Sequence, residues 1–133
     1  MTALTKDRNT PWREGDEFNH PVAANAVIHA GALVVLNASG DAAPGSTATG
    51  LTPAGRAEEA VDNTGGAAGD KTVQVRKGVF RYANDGSISR ANIGGTAYIV
   101  DDQTLAATDG GGTRSAAGEI VDVDADGVWV KIG

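Results

Sequence analysis

Val121-Asp122-Val123-Asp124-Ala125-Asp126-Gly127-Val128-Trp129-Val130-Lys131-Ile132, near the C-terminal end of the sequence, carries its strongest local pattern. Asp-Gly is a favoured two-residue hairpin loop, and both flanks alternate apolar with polar residues, the period of a half-buried strand. With Asp126-Gly127 as the loop, Ala125 faces Val128, Val123 faces Val130 and Val121 faces Ile132 on one side of the ribbon. Asp124 then opposes Trp129, and Asp122 opposes Lys131, on the other. Opposite charges meet across the strands, and the apolar residues gather on one face. This ribbon predicts an antiparallel β protein.

Working back from the hairpin, the same grammar recurs. Ala26-Val27-Ile28 and Leu33-Val34-Val35-Leu36 are short apolar runs separated by the Ala30-Gly31 turn. Residues 41–48 are rich in Ala, Gly, Ser and Thr and read as a loop, and a weakly patterned strand is possible over 54–61. Thr72-Val73-Gln74-Val75-Arg76 alternates cleanly. Val79-Phe80 falls out of phase with it, which predicts a β-bulge at Gly78. Ser89 followed by Gly94 frames a single helical turn, the one helix expected. Residues 97–100 and 104–107 read as two further strands.

Composition agrees with that reading. The 133 residues include only 26 Leu, Ile, Val and Phe, but 23 Ala and 19 Gly, which suits thin, tightly turned sheets better than helical packing. A net charge of −6 is small for this length, so a folded chain is expected, with one modest core over residues 21–133. The absence of cysteine excludes disulfides and thiolate chemistry, leaving packing and association to stabilise the fold. No run of about 18 apolar residues and no basic-then-apolar leader is present, so we expect a protein made in the host cytoplasm with no membrane partner. Seven scattered Arg form no basic stripe, which argues against direct nucleic-acid binding.

Residues 1–20 differ from the rest. They mix charges without period and contain Pro11 and two isolated aromatics, Trp12 and Phe18, and so read as an extended N-terminal arm. A Trp in such a segment exposes a large apolar surface with no folding gain, and association is its usual use. Trp12 and Phe18 are therefore candidate anchors for a protein partner.

Catalytic and metal signatures are weak throughout. Asp122, Asp124, Asp126 and Gly127 match the opening of a calcium loop, but its twelfth position is Gly133 where a bidentate Glu is needed. Gly65 to Thr72 superficially matches a phosphate loop, yet Asp70 sits inside it and a strand follows, where a helix N-terminus is required. His20 and His29 lie in no nucleophile or metal motif. No catalytic residue, cofactor or metal is assigned, and the chain is expected not to be an enzyme.

The order Gly50-Leu51, Arg56-Ala57-Glu58-Glu59-Ala60-Val61, Gly69-Asp70-Lys71, Val73-Gln74-Val75-Arg76 and Gly78-Val79-Phe80 resembles the lambda-type head decoration family of tailed-phage cement proteins. Pro21 to Leu36, and Arg114-Ser115-Ala116-Ala117-Gly118 through Val130, also look like small phage structural proteins. The resemblance implies a mainly β, β-tulip or barrel-like domain with one short helix, commonly a homo-trimer, on the virion exterior. It implies the major capsid protein as partner, contacted by an N-terminal arm that adds to coat sheets by β-augmentation. Carried onto this chain, Leu4, Arg8, Trp12, Arg13 and Phe18 are the candidate coat contacts. A tail or baseplate adaptor and a carbohydrate-binding β-module are the alternative expectations.

Overall fold

The structure, a computed structural model, describes residues 2–10 and 15–133. Twelve strands and one 3₁₀ turn follow one another: β1 (Glu17–Pro21), β2 (Val27–Ile28), β3 (Leu33–Leu36), β4 (Ala42–Pro44), β5 (Thr52–Ala57), β6 (Val61–Asp62), β7 (Thr72–Arg76), β8 (Gly78–Asn84), the turn Arg90–Asn92, β9 (Thr96–Ile99), β10 (Thr104–Ala106), β11 (Ala116–Asp124) and β12 (Gly127–Ile132). The fold is mainly β, as expected, and half of it is a small closed barrel of five strands in the order β10-β8-β12-β11-β9. All neighbours in the barrel are antiparallel except the β10–β8 pair.

The other half is a five-stranded sheet, β1-β7-β5-β3-β4, with the short β2–β6 ribbon beside it. A single bridge from Val22 to Ala42 links the chain after β1 to β4, so the sheet curls back towards its own far edge. Two apolar clusters result. Phe80, Ile99, Leu105, Ile120, Val130 and Ile132 are among those filling the barrel. Val22, Ile28, Val34, Ala54, Val73 and Val75 are among those inside the curled sheet.

β3 belongs to both. Leu33 and Val35 enter the barrel cluster while Val34 enters the other, which is why Leu33-Val34-Val35-Leu36 is an unbroken apolar run with no alternation. A strand covered on both faces has no solvent side to mark with polar residues.

Several expectations are corrected here. The β11–β12 hairpin forms, but its loop is Ala125-Asp126. Asp124 pairs with Gly127, Val123 with Val128 and Asp122 with Trp129. A register shift between Ile120 and Asp122 then sets Ile120 opposite Val130 and Glu119 opposite Lys131. The Asp124 carboxylate explains the difference, because it accepts from the Asp126 N–H at 2.8 Å and from Trp129 Nε1 at 2.9 Å and so organises the loop one residue early. Gly127 is needed for a different reason: a Cβ there would lie 2.4 Å from the Tyr82 carbonyl oxygen on β8.

The phase change after Arg76 is likewise not a bulge within one strand. Through Lys77 the chain leaves the curled sheet and enters the barrel, so Val73 and Val75 serve one cluster and Phe80 and Tyr82 the other. The 41–48 segment, expected to be loop, contains β4. The weak pattern over 54–61 resolves into β5 and β6, and the expected helical turn is Arg90–Asn92, where the Asn92 side chain accepts from the Ser89 N–H at 2.8 Å. Residues 17–20, assigned above to the arm, form most of β1.

Candidate functional site

Among the described residues, the arm joins the body through Asp16. The Asp16 carbonyl accepts from the Lys77 N–H at 2.7 Å, and β1 then pairs antiparallel with β7 from Glu17 opposite Arg76 to Pro21 opposite Thr72. β1 is an edge strand, built from Glu, Phe, Asn, His and Pro, and its side chains divide by alternation between two surfaces.

On the outer surface Glu17 binds the Arg76 guanidinium and accepts from Gln74 Nε2 at 3.0 Å. Arg76 Nε lies 3.8 Å from Glu58, whose other carboxylate oxygen takes Arg56 Nη2 at 2.7 Å. Arg56 in turn covers the Phe80 ring at 4.7 Å. A row of alternating charges thus runs from the root of the arm across the sheet to the barrel. Each pair is solvent-exposed and worth about 0.2–1 kcal/mol, but together they hold an otherwise weakly patterned strand in register.

On the opposite surface Phe18 and His20 stack with ring centroids 6.4 Å apart, and Lys77 Nζ sits 5.2 Å from the Phe18 ring. With Leu36, Thr52, Pro53 and Ala54 they line an apolar groove of about 260 Å³ at the base of the arm. Burial, and then the Lys77 charge, hold the His20 imidazole below its ordinary pKa, so the groove favours a neutral ring.

The expected partner residues divide sharply. Leu4 is 72% exposed and Arg8 is exposed, as are all the described arm residues from 2 to 10. Trp12 and Arg13 lie outside the described residues. Phe18 is not on a projecting arm: it is half-buried in β1 and faces the groove. Sequence reasoning missed the other groove residues, His20, Leu36, Pro53 and Lys77. The Phe18-Asn19-His20 alternation was the available signal, masked by the charged residues before it.

Trp129, expected on the polar face of the hairpin, is half-buried there. Asp124 holds its indole N–H, and the Arg81 guanidinium lies 5.6 Å from its ring. Together with Arg56, Val79 and Phe80, Arg81 and Trp129 border a second shallow depression of about 320 Å³.

Other polar groups serve the fold. Asp122 pairs with Arg90 at 3.0 Å, Asp124 with Trp129, and Asp126 with Arg81 at 3.8 Å, so the three hairpin acids have three separate partners. Asp70 caps its own glycine-rich loop by accepting from the Ala67 N–H at 2.9 Å, and Lys71 Nζ donates to the Asp62 carbonyl at 2.6 Å. Buried Asn63 donates to the Ala23 and Ala67 carbonyls, and buried Ser115 bridges Ala48 and Leu51. His29 is exposed. Among the described residues, no group of three or more His, Cys, Asp or Glu is placed to hold a metal ion, and no helix is long and apolar enough to cross a membrane. The candidate site comprises the exposed arm residues 2–10 and the edge strand β1 that follows them. No known protein family, characterised protein or solved structure matches this chain.

Proposed function

We propose that this chain is a structural virion protein that binds the outside of a tailed-phage capsid and stabilises contacts between major capsid protein subunits. The observation that carries the reading is the exposed arm, residues 2–10, rooted through Glu17 and Arg76 on the edge of a compact β body. The arrangement suits clamping: a compact body sits on one subunit while the exposed arm residues, Leu4 and Arg8 among them, reach a neighbour; Trp12 and Arg13, expected to join them, lie outside the described residues. The resemblance of residues 50–80 to phage cement proteins supports the same reading. Many symmetry-related copies, homo-trimers in what that resemblance implies, would add modest contacts through multivalency.

The test is binding to expanded, undecorated heads of the tailed phage that encodes the chain, followed by cosedimentation and particle mass spectrometry. The full chain is expected to bind in hundreds of copies per particle, and a chain starting at Asp16 to lose binding while staying folded. Undiminished binding by that truncated chain would remove the arm's role. A ring of a few copies would instead identify a tail or baseplate adaptor, and affinity for a polysaccharide in the isolated protein a carbohydrate-binding module.

A further inference from the structure

We propose that the part of the β8 edge running from Val79 to Arg81 takes an extended acidic segment of another protein as an added strand. β10 closes the barrel against only the end of β8, where Thr104 lies opposite Ala83 and Leu105 opposite Asn84. On that side the Ala83 N–H donates to the Gln103 carbonyl at 2.8 Å. Successive residues of a strand point their main-chain groups to alternate sides, so the N–H and C=O of Val79 and Arg81 face the same way as those of Ala83, while Gly78, Phe80 and Tyr82 bond to β12. Among the described residues, the main-chain groups of Val79 and Arg81 have no hydrogen-bond partner. Unpaired groups along a strand are a template for another strand.

The surface beside them is shaped to hold one. The shallow depression of about 320 Å³ is lined by Val79, Phe80, Arg81 and Tyr82 in succession, with Arg56 and Trp129, so it follows this edge. Val79 is 48% exposed and Trp129 half-buried, which gives alternate side chains of an added strand an apolar footing.

Charge selects the occupant. The chain carries −6, yet between Asp70 and Asp85 it has four basic residues and no acidic one, and Lys131 stands opposite Val79 on β12. Both charged residues lining the depression are arginines. Arg56 is shared with Glu58, whereas Arg81 meets exposed Asp126 at 3.8 Å, a weak, solvent-screened pair that a better-placed carboxylate displaces. The same edge of a second copy would set one basic strip against another. Residues 1–14 of the arm hold three basic and two acidic side chains and match it no better. An acidic strand is complementary.

The site lies outside the arm, so its failure would leave the capsid reading untouched. The test uses the purified full chain, amide hydrogen exchange and ¹H–¹⁵N NMR, with a short capped peptide alternating Glu and Val as the probe. In the free chain the Val79 and Arg81 amides are expected to exchange at least about tenfold faster than those of Phe80 and Tyr82. The peptide should slow both by about tenfold and shift their resonances saturably, at concentrations up to about 1 mM. Arg81→Glu and Lys131→Glu, each at an exposed position, should weaken binding at least about fivefold, and a peptide alternating Lys and Val should not bind. Slow exchange of Val79 and Arg81 in the free chain overturns the proposal, because the edge is then already covered. So does the absence of saturable shifts at these amides, or equal binding by the Lys-Val peptide.

Discussion

Trp129 donates its indole N–H to Asp124 Oδ2 at 2.9 Å across the β11–β12 hairpin, so the largest side chain on the outside of the barrel is fixed by the carboxylate that also organises the hairpin loop. The hydrogen bond from Trp129, and next that from the Asp126 amide, hold the Asp124 carboxyl below its ordinary pKa of 3.8. Since the folded value is the lower one, this contribution to stability is complete above the ordinary value and is lost as pH falls through the folded value. In ¹H–¹⁵N NMR titrations the Trp129 indole resonance should move upfield as pH falls below 3.8, and Asp124→Asn should abolish the titration. An indole shift independent of pH in the parent protein would exclude the linkage.

Truncation should separate arm from body at Glu17. A chain beginning at Asp16 retains Glu17–Arg76 and the whole of β1, and its melting temperature should match that of the full chain. Removing residues through Pro21 strips an edge strand and half-buried Phe18 from the sheet, costing about 2 kcal/mol and lowering the melting temperature by roughly 5–10 °C. Calorimetry on the two truncations decides it. Equal melting temperatures would mean that β1 adds nothing to the sheet.

Gly127→Ala should destabilise the protein by about 2–4 kcal/mol, because its Cβ would meet the Tyr82 carbonyl 2.4 Å away on the neighbouring strand. Ala125→Gly, inside the loop itself, should cost less than about 1 kcal/mol. Urea denaturation of both variants tests whether Gly127 is required by the loop or by β8.

Val34→Ala and Val35→Ala remove equal volumes from opposite faces of β3, one from each core. Each should cost about 2–3 kcal/mol. Because β3 is shared, both variants should still melt in one transition in scanning calorimetry; two separated transitions would show that the cores unfold independently.

Much of this architecture was legible in the residues. Leu33–Leu36 and Thr72–Arg76 are strands with the boundaries read from the sequence, since an unbroken apolar run and a clean alternation leave little choice. The hairpin was legible in kind but not in register. Asp-Gly favours one loop in isolation, but Gly127 is buried against Tyr82 and the Asp124 carboxylate turns the chain earlier, both tertiary facts. β5 was faint because Pro53 and Gly55 interrupt its pattern, and pairing with β3 and β7 on either side secures it. At the candidate site the exposure of Leu4 and Arg8 followed from the polar, aperiodic sequence around them. The groove did not, because its walls come from β1, β3, β5 and Lys77, which are brought together only by the curl of the sheet.

The antiparallel register of β1 and β7 also decides how the molecule answers a pull. Tension on the arm enters at Glu17, directly opposite Arg76, and the chain beyond Arg76 passes through Lys77 into the barrel. Load and anchorage therefore meet at the same end of the ladder, which opens like a zipper, one rung after another from Glu17 towards Pro21, instead of resisting all its bonds at once in shear. A particle held together by such tethers would yield gradually at many weak hinges while each barrel stayed whole, and each tether could close again when the tension passed.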